Sequence, residues 1–153
     1  LILWSVCTKS IAQKQGQEKI DSLQENIKSY KSVFKQESIA DSNKVITLFA
    51  LSAELSSDNT ERALSVLQQA KEFSHRINFY KGEIMALTKM GIINDGQGRY
   101  EEGLSCFQYA LKISQQYGFK NWSAMCYNNM GHNYQTRDKY AEAIESFKNS
   151  LKI

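Results

Sequence analysis

The sequence contains no proline in 153 residues, where an average chain of this size would hold about seven at the usual ~5%. Proline breaks helix interiors, because it lacks the backbone donor and clashes with the preceding turn. Its absence points to an all-helical chain. Cysteine is scarce too: Cys7, Cys106 and Cys126 are the only three, and no two have CxxC spacing. An odd number cannot form a closed disulfide set. Cys106 and Cys126 both fall on helical segments, either as buried thiols acting as small apolar groups or as a bridge. The two histidines, His75 and His132, are far apart, and neither has a partner four residues on. That spacing is what a helical metal pair needs, so no metal site is expected. The net charge is only +3 and no block of five like charges exists, which gives no case for a nucleic-acid partner. Glycine-rich phosphate loops and nucleophile elbows are absent, so no catalytic residue and no cofactor is expected. Asp21 with Glu25, and Glu101 with Ser105, share helix faces as an ordinary solvated surface does. No apolar run reaches the roughly 20 residues of a membrane span.

What remains is an ordinary balance, 42% hydrophobic and 23% charged, in a chain long enough to bury a core as one domain. Its dominant feature is repetition. Gly91 recurs as Gly131, Tyr100 as Tyr140 and Phe107 as Phe147, all forty residues apart, and Leu111-Lys112-Ile113 recurs as Leu151-Lys152-Ile153. A fainter copy upstream sets Ala63, Leu64, Leu67 and Ala70 against Gly103, Leu104, Phe107 and Ala110. A period in this range marks a stacked solenoid, each unit burying its apolar face on the next.

The apolar spacing predicts paired helices. Residues 17–36 put Ile20, Leu23, Ile27, Tyr30 and Phe34 on one stripe. Asp41 or Ser42 can cap a second helix carrying Val45, Leu48, Phe49 and Leu55. Ser57-Asp58-Asn59 forms a turn before a third helix, about Thr60 to Arg76. A helix from about Phe79 to Asp95 ends at Gly96-Gln97-Gly98. Its partner, about Tyr100 to Tyr117, is stopped by Gly118. Another covers about Asn121 to Thr136, and an Arg137-Asp138 turn leads to a last helix from Lys139. Small residues recur where paired helices must approach: Gly91 and Gly131, Gly103 and Ala143, Ala110 and Ser150. A larger group there would force the helices apart at a cost of about 1–3 kcal/mol. Tyr100 and Tyr140 are expected to wedge between helices with the ring buried and the hydroxyl near water.

The N-terminus is expected to be the tail of a secretory signal over residues 1–12. Leu1 to Cys7 is apolar, and Ser10-Ile11-Ala12 puts small residues at the −3 and −1 positions before Gln13. Export to the periplasm or another extracytoplasmic space follows from that reading. A cytoplasmic protein with an apolar N-terminal helix packed on the first repeat is the alternative. Residues 13–40 then form a helix and linker, and 41–153 the array, with repeats about 43–78, 79–118 and 119–153. The last helix has no follower to cover Phe147, Leu151 and Ile153. That suggests a fragment of a longer protein, or self-association through the C-terminal helix.

The third copy, with Tyr127, Met130-Gly131, Tyr134, Ala143 and Phe147, resembles the tetratricopeptide repeat. Leu87, Met90-Gly91, Asn94, Gly103 and Phe107 match less fully. The first copy has Ala50-Leu51 where an apolar residue and glycine belong. The resemblance implies an all-α solenoid of antiparallel helix pairs, a right-handed superhelix of about three repeats, in a variant with a forty-residue period and no late proline. Gly91, Tyr100, Gly103, Phe107, Ala110, Gly131, Tyr134, Tyr140, Ala143 and Phe147 would pack it. It also implies a groove lined by the first helix of each repeat: Met85, Thr88, Ile92 and Asp95, then Met125, Asn128, His132 and Gln135. Asparagine and glutamine there can bond a peptide backbone and methionine can adapt to varied side chains; plain solvated surface is the other reading. Thr88 and Ile92 stand where a lysine-asparagine clamp for a terminal carboxylate would sit, so that mode is disfavoured. Asp41-Ser42-Asn43-Lys44-Val45, with Leu48 and Leu51, is similar to the lead-in of repeat arrays in bacterial membrane-bound sensors such as histidine kinases. A protein or peptide partner is thus expected, as the extracytoplasmic sensory part of a signalling protein, with the membrane met only through downstream segments. A structural or assembly module is the alternative.

Overall fold

The computed structural model describes residues 2–29, 39–56 and 58–153, with side chains over 14–28, 41–56 and 58–153. Among these residues there are seven α-helices and no strand. They are α1 (Ile2–Ser29), α2 (Ile39–Leu55), α3 (Thr60–Arg76), α4 (Tyr80–Gly96), α5 (Tyr100–Gln116), α6 (Lys120–Thr136) and α7 (Tyr140–Leu151). The all-α helical-repeat class is the expected one. From Thr60 onward a helix starts every twenty residues, at Thr60, Tyr80, Tyr100, Lys120 and Tyr140. The forty-residue period is therefore two such helix-turn units.

The turns explain the regularity. Asn78, Gly98, Gly118 and Asp138 all have positive φ, at 57°, 73°, 68° and 57°. At each, the following amide reaches back five residues to a helix carbonyl: Phe79 to Ser74 at 2.8 Å, Arg99 to Asn94 at 2.9 Å, Phe119 to Ser114 at 2.7 Å and Lys139 to Tyr134 at 3.0 Å. This left-handed closure satisfies carbonyls that the helix end would otherwise leave bare. Glycine adopts it freely, and asparagine and aspartate tolerate it. The start of α3 is capped as well, since Asn59 Oδ1 accepts the Arg62 amide at 3.0 Å.

Two starting points differ from the sequence expectation. Helix α2 begins at Ile39, so Asp41 and Ser42 lie inside its first turns and do not cap it. Ile39 and Ala40 are themselves helix-compatible, and Asp41 still sits at the positive end of the helix dipole. Helix α1 begins at Ile2, ahead of the apolar stripe expected from residue 17. Tyr30 and Phe34 of the expected first stripe, and Ser57 of the expected turn, lie outside the described residues.

The chain forms two compact units, Leu1–Val66 and Leu67–Ile153, with the boundary inside α3. In the first, α1 packs on α2. Ile20, Val45, Leu48, Leu51 and Leu55 are buried, and Lys19 Nζ pairs with Glu54 Oε1. In the second, α4 packs on α5, α5 on α6 and α6 on α7, while α4 also touches α6. The first helices of successive pairs are thus neighbours. Ile84, Leu87, Leu104, Phe107, Ala110, Leu111, Cys126 and Met130 form the core, with Tyr134 packed against it.

Nesting within each pair depends on a ring against a glycine. A Cβ built on Gly91 would lie 2.8 Å from Phe107 Cδ1, and one on Gly131 would lie 2.7 Å from Phe147 Cδ1. The same contact thus recurs forty residues on. Ala143 is buried at the matching place on α7, and Ser150 Oγ donates to the Ala124 carbonyl at 2.8 Å. Tyr140 corrects the expectation: the residue is 58% exposed, and its hydroxyl donates to Asp138 Oδ1 at 2.6 Å. Tyr100 is half-buried because α6 follows it and Asn133 bonds its carbonyl; among the described residues no helix packs on Tyr140 in that way.

Candidate peptide-binding cleft

Helices α4 and α6 stand side by side over the start of α5 and leave a cleft of about 320 Å³. Helix α4 contributes Ile92, Asp95 and Gly96; α5 contributes Tyr100 and Phe107; α6 contributes Asn129, His132 and Thr136. That size is at the lower end for small-ligand pockets and suits one or two side chains of an extended segment.

Local packing builds this cleft. The Phe107 ring is drawn against α4 by the bare backbone of Gly91, and only 1% of the residue is exposed. Gly103 makes room for Asp95: a Cβ there would overlap Asp95 Oδ1, with Asp95 Cγ at 2.9 Å and the Gly91 carbonyl at 3.0 Å. Asn133 then fixes the carboxylate. Its Nδ2 donates to Asp95 Oδ1 at 2.7 Å and to the Tyr100 carbonyl at 2.8 Å. Being 1% exposed, Asn133 ties three helices together from inside. Burial raises the pKa of Asp95 above the ordinary carboxylate value, an effect partly offset by the Asn133 hydrogen bond and by the charge of Arg137. Arg137 Nη2 is itself paired with Glu101 Oε1. On the opposite wall the exposed His132 ring stands edge-on to Phe147, with centroids 5.1 Å apart.

Of the groove residues implied by the resemblance, Ile92, Asp95 and His132 meet in the cleft. Asn128 and Gln135 are exposed beside the lining residues Asn129 and Thr136. Met85 and Met125 are half-buried nearer the helix starts, outside the cleft. Thr88 is buried, with its hydroxyl donated to the Ile84 carbonyl at 2.8 Å. Sequence reasoning missed Asn129, Thr136 and Gly96, and gave Tyr100 and Phe107 packing roles alone. With His132 between them, the missed α6 residues complete a three-then-four helix stripe, one of several such stripes that the spacing of α6 allows.

The thiols are not a bridge: Cys106 and Cys126 are both free. Burial pushes the Cys126 thiol up to about 12, with hydrogen bonds to Ser114 and Thr88 opposing it in part. Such a thiol is a poor nucleophile at neutral pH. Ser114 and Ser123 hydroxyls, 2.8 Å apart, extend this buried polar line from α5 to α6. Among the described residues no group of three or more histidine, cysteine or acidic side chains is placed to hold a metal. No described helix is long and apolar enough to cross a membrane.

Residues 82–153 match the tetratricopeptide repeat family. No curated protein matches the chain. Among solved structures, BtubC (BKLC) from P. vanneervenii superposes with a TM-score of 0.76 at 16% identity, over 90% of this chain and 56% of that one. This likeness is one of fold. A signal transduction ATPase with numerous domains from Pyrococcus horikoshii, which has a tetratricopeptide repeat sensor, gives a TM-score of 0.62 at 26% identity, over 76% of this chain and 19% of that one. The chain thus spans about half of the first protein and a fifth of the second. Together the matches support a tetratricopeptide-repeat protein, a fold that generally serves as a non-catalytic scaffold for protein interaction.

Proposed function

We propose that this chain is a non-catalytic interaction scaffold that holds a segment of a partner protein in the cleft between α4 and α6. The observation that carries the reading is that cleft: Ile92, 55% exposed, stands beside the fixed carboxylate of Asp95, with His132 and Asn129 across from them. An apolar wall with a few convergent polar groups is what a peptide site needs. Selecting a binder from a random peptide library and titrating it by calorimetry tests this. Replacing Asn128, Asn129 and His132 together by alanine should weaken binding at least roughly tenfold, about 1.4 kcal/mol, with the helical circular dichroism unchanged. Equal affinity removes the assignment.

The finer reading is a sensory module of a signalling protein, on the extracytoplasmic side of a bacterial membrane and upstream of a kinase, cyclase or DNA-binding output. The similarity to a signal transduction ATPase with a repeat sensor supports the signalling part. The apolar stretch Leu1–Cys7 followed by Ser10-Ile11-Ala12 supports export. Fusion of the natural coding sequence from its own start codon through Ile153 ahead of a phosphatase active only in the periplasm tests it, and an inactive, full-length fusion sinks the export reading. A second reading, assembly through α7, is favoured by the exposure of Ile144 and Leu151 on that helix. Sedimentation across a wide concentration range separates the two, since a strict monomer rules assembly out.

A further inference from the structure

We infer that the cleft selects a basic side chain, with the methylenes of a partner's arginine or lysine against Ile92 and Tyr100 and its cation at Asp95. This deepens the peptide-binding reading and rests on it. Among the residues lining the cleft, Asp95 is the one acidic group and no lysine or arginine is present. The cation whose charge acts on Asp95 is Arg137, and Arg137 is already paired with Glu101. The charge presented to a ligand is therefore negative.

The carboxylate is also set in advance. Asn133 holds Asp95 Oδ1 at 2.7 Å and is anchored in turn to the Tyr100 carbonyl. An incoming cation finds an oriented acceptor and need not order one, which lowers the cost of binding. Asp95 is partly withdrawn from water, where a charge-assisted hydrogen bond is stronger than at an open surface. The long stems of lysine and arginine cover apolar surface while their heads stay polar; Ile92 and Tyr100 offer that surface beside the carboxylate. An acidic side chain in the same place would face like charge. The complementarity is local, because the whole chain carries +3.

Amide chemical shifts of the full chain test the assignment. The probes are N-acetyl methylamides of arginine, citrulline, norleucine and glutamate, citrulline having arginine's shape without its charge. Arginine should shift the amides of Ile92, Asp95, Tyr100 and His132, with roughly tenfold tighter apparent binding than citrulline. Asp95→Asn should bring arginine down to citrulline's level without unfolding, because an asparagine oxygen can still accept from Asn133. Equal titration by arginine and citrulline at the cleft overturns the charge preference and leaves the peptide reading standing. Persistence of the preference in Asp95→Asn overturns it too. No shift at the cleft with any of the four compounds overturns both readings.

Discussion

Alanine at Gly91 should destabilise the protein although alanine is the better helix former. In an open helix the change would gain up to about 1 kcal/mol. Here the added carbon would lie 2.8 Å from Phe107 Cδ1 and Cζ, closer than real side chains approach. The ring has little room to swing away, because it is 1% exposed and shares its core with Leu87, Leu104, Ala110 and Met130. Overpacking of this kind costs about 1–3 kcal/mol. Set against that gain, the net loss should centre on about 1 kcal/mol and reach about 2 kcal/mol, or roughly 2–8 °C in melting temperature for a chain of this size. Gly96→Ala is the matched control. Nothing lies within 4 Å of its Cβ position, and its φ is not positive, so it should gain about 0.4–1 kcal/mol. Thermal melts by circular dichroism read both. Trimming the ring with Phe107→Leu should make the Gly91→Ala penalty smaller than in the parent, a coupling visible in a double-mutant cycle. If Gly91→Ala melts at or above the parent temperature, the nesting argument is wrong.

Three further outcomes follow from the same contacts. Asp95 is less acidic when folded than its ordinary value of 3.8, so the unfolded chain holds fewer protons at this site between the two values, and stability from it falls as pH rises through that window. The parent should therefore gain on Asp95→Asn as pH drops from neutral to about 4, measured as the difference between their melting temperatures; a difference that stays constant contradicts this. Gly118→Ala should cost about 1–2 kcal/mol because φ there is 68°, whereas Asp138→Gly should be neutral or stabilising; denaturant titration checks the pair. Cys126 should resist alkylation in the native state at mildly alkaline pH, given a thiol pushed up to about 12, and react on unfolding; mass spectrometry of the two states reads this, and native labelling as fast as denatured labelling refutes it.

Much of the architecture was legible because packing at Gly91 and Gly131 leaves a residue-level trace at a constant interval. The α3 limits, Thr60 and Arg76, follow from apolar spacing and the Asn59 cap. The twenty-residue step was harder to see. Its common element is a left-handed backbone at Asn78, Gly98, Gly118 and Asp138, and three residue types meet that demand. Tyr140 looked like Tyr100 in sequence, but burial belongs to the pair of helices around a ring and not to the ring. The cleft was legible only in part. The α6 stripe taken from the family pattern, through Asn128, His132 and Gln135, is rotated by one residue from Asn129 and Thr136, which line it. One position is about a quarter turn of helix, and only the packing of α6 on α5 and α7 fixes which side faces inward. Gly103 was read as a helix-crossing site, whereas its second role, making space for Asp95, depends on a side chain eight residues away.

The most direct measurement of the central claim is paramagnetic broadening by a library-selected peptide carrying a nitroxide. Binding in the cleft predicts strong, distance-dependent loss of the Ile92, Asn129, His132 and Thr136 amide signals, and little loss at Tyr109 of α5 or Ile144 of α7, which are exposed on the second helices. Broadening centred on Tyr109 and Ile144, with the α4 and α6 signals intact, would contradict it.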